Sequence, residues 1–232
     1  MHKAILLKLS GEALAGKAHT GFDEETVRGV ARQVKAVSDK GVRIGIVTGG
    51  GNFWRGRSSD AIERTKADQI GMLATVMNCL YVSEVFRSEG MDTRIFTPFS
   101  VGGITELYSK DACMDALSKG QVVFFAGGTG HPYFSTDTAT VLRAIEMEAE
   151  AIYLAKSVDG VYDKDPKENP SAVKYDEIKM EQVVTDRLGV IDLSAAALAL
   201  DNRMPMYVFG LNEKDGIINS VTGEFTGTRI TV

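Results

Sequence analysis

Cysteine is scarce in this chain of 232 residues: Cys79 and Cys113 are the only two. Two thiols without spaced partners exclude a disulfide framework and a cysteine-based zinc site. Basic charge is also short, since 26 Lys and Arg against 31 Asp and Glu leave a net charge of −5. That balance excludes the electrostatic footprint of a general nucleic-acid binder, although a few local cations still suffice for phosphate ligands. No run approaches the ~20 apolar residues of a membrane span. The apolar segment Ala4–Leu7, set between Lys3 and Lys8, is too short for a signal peptide. The expectation is a cytoplasmic chain with no membrane partner and no nucleic acid. Repeats, low-complexity tracts and dividing linkers are missing too, so residues 1–232 are expected to form a single domain. With 44% hydrophobic and 25% charged residues, wholesale disorder is excluded.

What is present is an alternation of short apolar runs with longer amphipathic segments. Ala4–Lys8, Val42–Thr48, Arg94–Thr97, Gln121–Ala126, Ala151–Ala155 and Met206–Phe209 mostly lack strict alternation. That suits strands buried on both faces of a parallel sheet. Asp23 is placed to cap a helix whose Val27, Val30, Ala31, Val34 and Val37 share one face, ending at Lys40-Gly41. Ile70, Leu73, Met77, Leu80 and Tyr81 mark a second helix ending near Gly90. Val141, Leu142, Ile145 and Ala149 mark a third, and Ala195–Leu200 a fourth. The pattern is that of βαβ units around a covered sheet. Gly223–Val232 is expected to close the chain as a hairpin. Two polar stretches, Arg55–Ala67 and Tyr162–Ala172, read as long loops, the second with turn signals at Asp165-Pro166 and Asn169-Pro170.

Glycines recur just after the strands, in Ser10-Gly11, Gly49-Gly50-Gly51 and Gly127-Gly128-Thr129-Gly130, with Asp159-Gly160 further on. Ligands bind at the carboxyl ends of parallel strands, where glycine lets backbone amides approach an anion. One such turn is weak evidence, but three on one edge point to ligands carrying several phosphates. The string Gly11–Ala18 nearly matches a P-loop but has Ala18 where a Ser or Thr must hold magnesium, and no G-x-G-x-x-G opens a helix after the first strand. Lys8 ends a buried-looking strand, and its neighbours Ser10-Gly11 favour a phosphate contact over an edge lysine reaching water. Arg55 and Arg57 follow the Gly49–Gly51 turn and can reach the same anion, Arg57 reading more as surface charge. Asp137 in Ser135-Thr136-Asp137 has the ordinary role of a helix N-cap. A place beside phosphate requires a nearby cation, which Lys8 can supply.

Those residues resemble the bacterial uridylate kinases of the amino-acid-kinase superfamily. The resemblance is carried by Ile5–Leu14, by Gly49–Asn52 with Arg55-Gly56, and by Gly71–Asn78. Gly128–Gly130, Phe134–Asp137 and Val158–Tyr162 with Asp165-Pro166 continue it nearly end to end. It implies an α/β fold, a three-layer α/β/α sandwich with a central, mainly parallel sheet, assembled as a homohexamer. It implies transfer of the γ-phosphoryl group from ATP, bound with Mg2+, to UMP. Position by position, Lys8, Leu9, Ser10, Gly11, Gly51 and Arg55 fall on the ATP side, with Lys156, Tyr162 and Asp165 at the adenine nucleotide. Gly50, Asp68, Thr129, Gly130, His131, Pro132, Tyr133, Phe134, Ser135 and Thr136 fall on the UMP side. Lys8, Arg55 and Asp137 are the implied catalytic residues, with no protein ligand to the metal, and Asp192 takes a polar role. The resemblance further implies inhibition by UTP and activation by GTP. Two departures bear on this: His131 replaces an asparagine of the family, and Ser83 and Arg87 stand where an arginine–histidine effector pair occurs in relatives.

In this chemistry the protein aligns two phosphates and spreads charge, and the 5′-phosphate needs no general base. Lys8 and Arg55 are suited to the equatorial oxygens, and the amides of Gly50, Gly51 and Gly130 to fixed donation. The rival readings are a superfamily kinase acting on a carboxylate or carbamate, and a non-catalytic nucleotide- or oxyanion-binding protein on the same scaffold. Nothing in the sequence suggests an amino-acid head-group site, and the joint presence of Lys8, Arg55, Asp68 and Asp137 disfavours the silent binder.

Overall fold

The computed structural model describes residues 1–54, 62–223 and 225–232. Its strands are β1 (Ala4–Leu9), β2 (Arg43–Thr48), β3 (Thr93–Thr97), β4 (Glu106–Leu107), β5 (Val122–Phe125) and β6 (Ala151–Lys156). They continue with β7 (Val161–Tyr162), β8 (Lys174–Tyr175), β9 (Glu177–Lys179), β10 (Met206–Gly210) and β11 (Thr228–Thr231). The helices are α1 (Gly11–Leu14), α2 (Glu24–Ser38), α3 (Arg64–Ser88) and α4 (Lys110–Ser118), then α5 (Thr136–Glu146), α6 (Met180–Thr185), α7 (Leu193–Asp201) and α8 (Gly216–Thr222). Nine strands form one sheet in the order β4-β3-β5-β2-β1-β6-β10-β11-β9, and β7 pairs with β8 apart from it. Every pairing in the nine-stranded sheet is parallel except β10 with β11. All six apolar runs singled out in the sequence are strands of this sheet.

Period-two alternation sorts each strand between two cores. Ile5, Leu7 and Leu9 of β1 pack with Val27–Val37 of α2, Val76–Phe86 of α3 and Ile217 of α8. Leu6 packs on the other face with Val141 and Ala144 of α5, Val183 of α6 and Ala195–Ala199 of α7. The result is the expected three-layer α/β/α sandwich. By the same alternation Lys8 shares Leu6's face, at the carboxyl end of β1, and Lys156 shares Leu154's face on neighbouring β6. Both lysines are therefore aimed toward the α5–α7 layer.

Two expectations are corrected. Gly223–Val232 is not a hairpin: β11 does run antiparallel to β10, but α8 intervenes, and Gly223 ends α8 with φ of 114°. The Arg55–Ala67 stretch is not all loop, because Glu63 caps α3, accepting from the amides of Thr65 and Lys66, and the helix starts at Arg64; residues 55–61 lie outside the described ones. The second helix marked in the sequence is α3, and its apolar positions divide between core and surface: Leu80 and Tyr81 pack partly buried against the core. Ile70, Leu73 and Met77 are 40%, 51% and 47% exposed, while Met72, Val76, Cys79, Val82 and Phe86 face the core. A helix apolar nearly all round gives periodicity no unique side to choose. By length and composition alone α3 is long and apolar enough to cross a membrane, but more than half of its most apolar stretch is buried within this fold, as in a core helix.

Candidate active site

Three cavities open along the carboxyl ends of the strands and share walls. The middle one, of about 280 Å³, is lined by Lys8, Ser10, Gly11, Glu12, Gly49–Gly51, Thr136 and Leu154–Ser157. Through Gly50 and Thr136 it adjoins a cavity of about 160 Å³ lined by Trp54, Arg64, Ala67, Asp68, Gly71, Met72, Thr75, Gly128, Thr129, Phe134 and Ser135. Through Lys156 it adjoins a third, of about 440 Å³, lined by Val158, Gly160–Lys167 and Asp186–Val190. A further hollow of about 570 Å³ lies between α6 and α7, lined mainly by Val183, Val184, Ile191, Leu193 and Ala196; of the sequence candidates it holds Tyr133, Ser135 and Asp192.

Lys8 forms an ion pair with Asp137, the two side chains being 13% and 18% exposed. Of the two readings of Asp137 this replaces the cap with the alternative, a carboxylate beside Lys8. Ser135 is the N-cap of α5, accepting from the Asp137 amide at 2.9 Å, and Asp137 stands one step inside the first turn. An acid there is favoured by the helix dipole, and β1 brings the lysine to it. Asp192 caps α7, accepting from the Ala195 amide at 2.9 Å, and also accepts from the Ser135 and Thr138 hydroxyls. It is a joint between α5 and α7.

The glycine turns are locked to α3. Asn52 and Asn78 exchange amide hydrogen bonds of 3.0 and 2.8 Å, and Asn78 also donates to the Gly49 carbonyl. Thr75 Oγ1 accepts from the Gly127 amide at 2.8 Å while donating to the Met72 carbonyl. The Leu9 carbonyl accepts from the Gly49 amide at 3.0 Å, so Leu9 supports the turn, while its side chain is buried in the core and does not line the cavity. At Gly11 a Cβ would lie 2.5 Å from the Gly49 carbonyl oxygen and 2.6 Å from Asn52 Oδ1. Only glycine lets the two turns approach this closely.

Lys156 Nζ donates to the Val190 carbonyl. Burial pushes its pKa down to about 8, with Lys8 adding to the fall and Asp137 opposing it. In the third cavity the Tyr162 hydroxyl donates to Asp159 Oδ1 at 2.6 Å, and that bond raises the phenol to about 12. Asp165 accepts from the Lys167 amide at 2.9 Å and so fixes the turn after Tyr162. In the 160 Å³ cavity, Asp68 accepts from the Tyr133 amide and from Arg64 Nε, both at 2.8 Å. His131, Pro132 and Tyr133 do not line that cavity, and His131 is exposed, its amide held by Thr129 Oγ1 at 3.2 Å. Gly130 does not line it either; a Cβ there would press on Pro98. Arg55 and Arg57 lie outside the described residues. Among the described residues no cluster of three or more His, Cys, Asp or Glu is placed to hold a metal ion.

Sequence reasoning passed over Trp54, Arg64 and Glu12. Trp54, the sole tryptophan, sits two residues after Asn52, and its indole donates to the Ala67 carbonyl at 2.8 Å. Its position beside the glycine turn was the available signal. Arg64 and Glu12 look like ordinary helix charges until the fold places them at a cavity.

Residues 3–210 match the sequence profile of the amino acid kinase family. The UMP kinase from Bacillus anthracis is a similar solved structure, with 36% identity and a TM-score of 0.94 over 99% of this chain and 96% of that one. The UMP kinase from Ureaplasma parvum is 32% identical with a TM-score of 0.93, each chain covered in full. The uridylate kinase from Archaeoglobus fulgidus is 28% identical with a TM-score of 0.75 over 98% and 99% of the two chains. The chain belongs to the amino acid kinase family.

Proposed function

We propose that this chain is a UMP kinase, transferring the γ-phosphoryl group of ATP to UMP with release of ADP and UDP. The observation that carries the reading is the continuity of three cavities with Lys8 in the middle one. Two nucleotides entering from opposite ends meet there phosphate to phosphate, which is the arrangement in-line transfer needs. The likeness to proteins named UMP kinase and uridylate kinase supports the choice of acceptor.

On this reading the 160 Å³ cavity takes UMP, with Asp68 on the ribose and Gly50, Thr129, Phe134, Ser135 and Thr136 around it. The 440 Å³ cavity takes the adenosine half of ATP beside Tyr162 and Asp165. Lys8 neutralises the oxygens of the moving phosphoryl group, and Asp137 keeps its ammonium aimed at them. The amides of Gly11, Gly50 and Gly51 add donors that need no reorganisation during transfer. Arg55, from its place after the glycine turn, adds a second cation. Magnesium, when bound, screens the donor phosphates; it arrives with ATP and keeps most of its waters. The 5′-phosphate of UMP is already an anion, so no residue serves as general base.

The reading extends to a cytoplasmic, self-associating enzyme of pyrimidine nucleotide synthesis, as a homohexamer. The exposed stripe Ile70, Leu73 and Met77 supports self-association, since a row of large apolar side chains on one helix face favours cover. UTP shares the uracil and ribose of UMP and would compete for its cavity. Activation by GTP is left out of the reading: Ser83 bonds Thr93 at 2.7 Å and Arg87 bonds the same hydroxyl at 2.7 Å, so both positions serve to tie α3 to β3. A coupled ADP-release assay across UMP, CMP, dUMP and small carboxylates tests the proposal. Turnover with UMP is expected; turnover with a carboxylate and none with UMP would overturn it.

A further inference from the structure

Asp68 is held by more than its own helix. Arg64, four residues earlier on the same face of α3, donates from Nε to Asp68 Oδ2, and the Tyr133 amide donates to that same oxygen. Among the described residues Oδ1 accepts no hydrogen bond. Tyr133 reaches this position with φ of 72°, a conformation that costs an L-residue and persists only when its surroundings hold it. Part of that hold is the Arg64 guanidinium, 5.3 Å from the Tyr133 ring centroid. An ordinary solvated pair one helical turn apart would not also grip a loop residue 65 positions away in sequence. Here one arginine touches both the carboxylate and the loop that clamps it, at the wall of the same cavity.

We propose that Arg64 is a positioning residue for the acceptor nucleotide. Acting through Asp68 and Tyr133, it fixes which carboxylate oxygen is left for the ribose and holds the 129–136 loop against α3. The inference rests on the reading of this cavity as the UMP site. Without Arg64 the carboxylate is free to exchange its two oxygens and the loop loses one of two tethers. The nucleotide must then order both on binding, which weakens it. The loss is larger for UMP than for dUMP, because the 2′-hydroxyl is among the groups the oriented carboxylate would read.

Trp54 supplies the readout. It is the only tryptophan and lines this cavity, so its fluorescence follows acceptor binding without turnover. UMP and dUMP are titrated, without ATP, into the wild type, Arg64→Ala, Asp68→Ala and the double variant. Arg64→Ala is expected to weaken UMP roughly 4–10-fold, within the lower part of the range of coupling between contacting residues. The UMP/dUMP ratio narrows, and adding Arg64→Ala to Asp68→Ala changes UMP affinity by less than about twofold, since residues acting as a unit do not add. Arg64→Gln keeps the stem and carries the same expectation should the alanine variant fail to fold. An Arg64 variant that binds UMP like the wild type, or a double variant whose losses multiply, overturns the proposal. A wild type that neither responds to nor phosphorylates UMP instead overturns the site reading beneath it.

Discussion

Lys156→Met is expected to make the protein more stable while weakening its hold on ATP. The lysine lies at the seam of two cavities, mostly buried, on the same sheet face as Lys8. Burial lowers its pKa from 10.5 to about 8, with Lys8 adding to the shift. A fall of that size means the charged form costs the native state about 3 kcal/mol at neutral pH. Methionine keeps the length and apolar stem but forfeits the bond to the Val190 carbonyl, worth about 1 kcal/mol. A net gain of about 2 kcal/mol at pH 7 follows. The native protein binds fewer protons than the unfolded chain between about 8 and 10.5, so wild-type stability rises with pH across that window, and the variant has no such slope from this site. The stability gap is therefore full below pH 8 and nearly gone at pH 9.5. Urea unfolding of both proteins at the two pH values measures it, and KM for ATP at pH 7 measures the lost charge. A variant no more stable than the wild type at pH 7, or a gap equal at both pH values, would refute the reasoning.

Lys8→Ala should lower kcat by roughly 10²–10³ with smaller changes in either KM, because its charge acts on the transferring group. It should also move the alkaline limb of the pH–rate profile upward, since Lys8 is one of the charges depressing Lys156; wild-type turnover with an unmoved limb would count against both roles. Asp68→Ala should narrow the kcat/KM ratio of UMP to dUMP, which the wild type sets at about 10–150-fold if one charged hydrogen bond of roughly 1.5–3 kcal/mol reads the 2′-hydroxyl; an unchanged ratio rejects that assignment. Gly11→Ala drives a methyl into the Gly49 carbonyl and Asn52. It should cost about 1–3 kcal/mol of stability as overpacking and disable transfer; a stable, active Gly11→Ala protein would show that the close approach of the turns is dispensable.

The sequence by itself determined the layers and the edge on which the site lies. Six short apolar runs, most without strict alternation, suited strands covered on both faces, and glycines following several of them marked the carboxyl ends. Asp23 was legible as a cap because capping is local: its side chain accepts from Thr26, three residues on. The same local logic left Asp137 between a cap and a partner of Lys8: Ser135 takes the cap two residues away, and the lysine that claims the carboxylate comes from β1, 129 positions earlier. The buried face of α3 was undecidable from periodicity, because its residues are apolar on both sides and only the sheet beneath determines which are covered. Arg64 and Trp54 were invisible for a related reason. Each acquires meaning from a partner on a loop or strand that nothing in its own neighbourhood specifies. Local propensity and alternation are properties of short windows, so the sequence carried them openly. Which charges meet, which oxygen of Asp68 is taken and how far Lys156 is desolvated depend on contacts between distant segments, and the tertiary structure alone decided them.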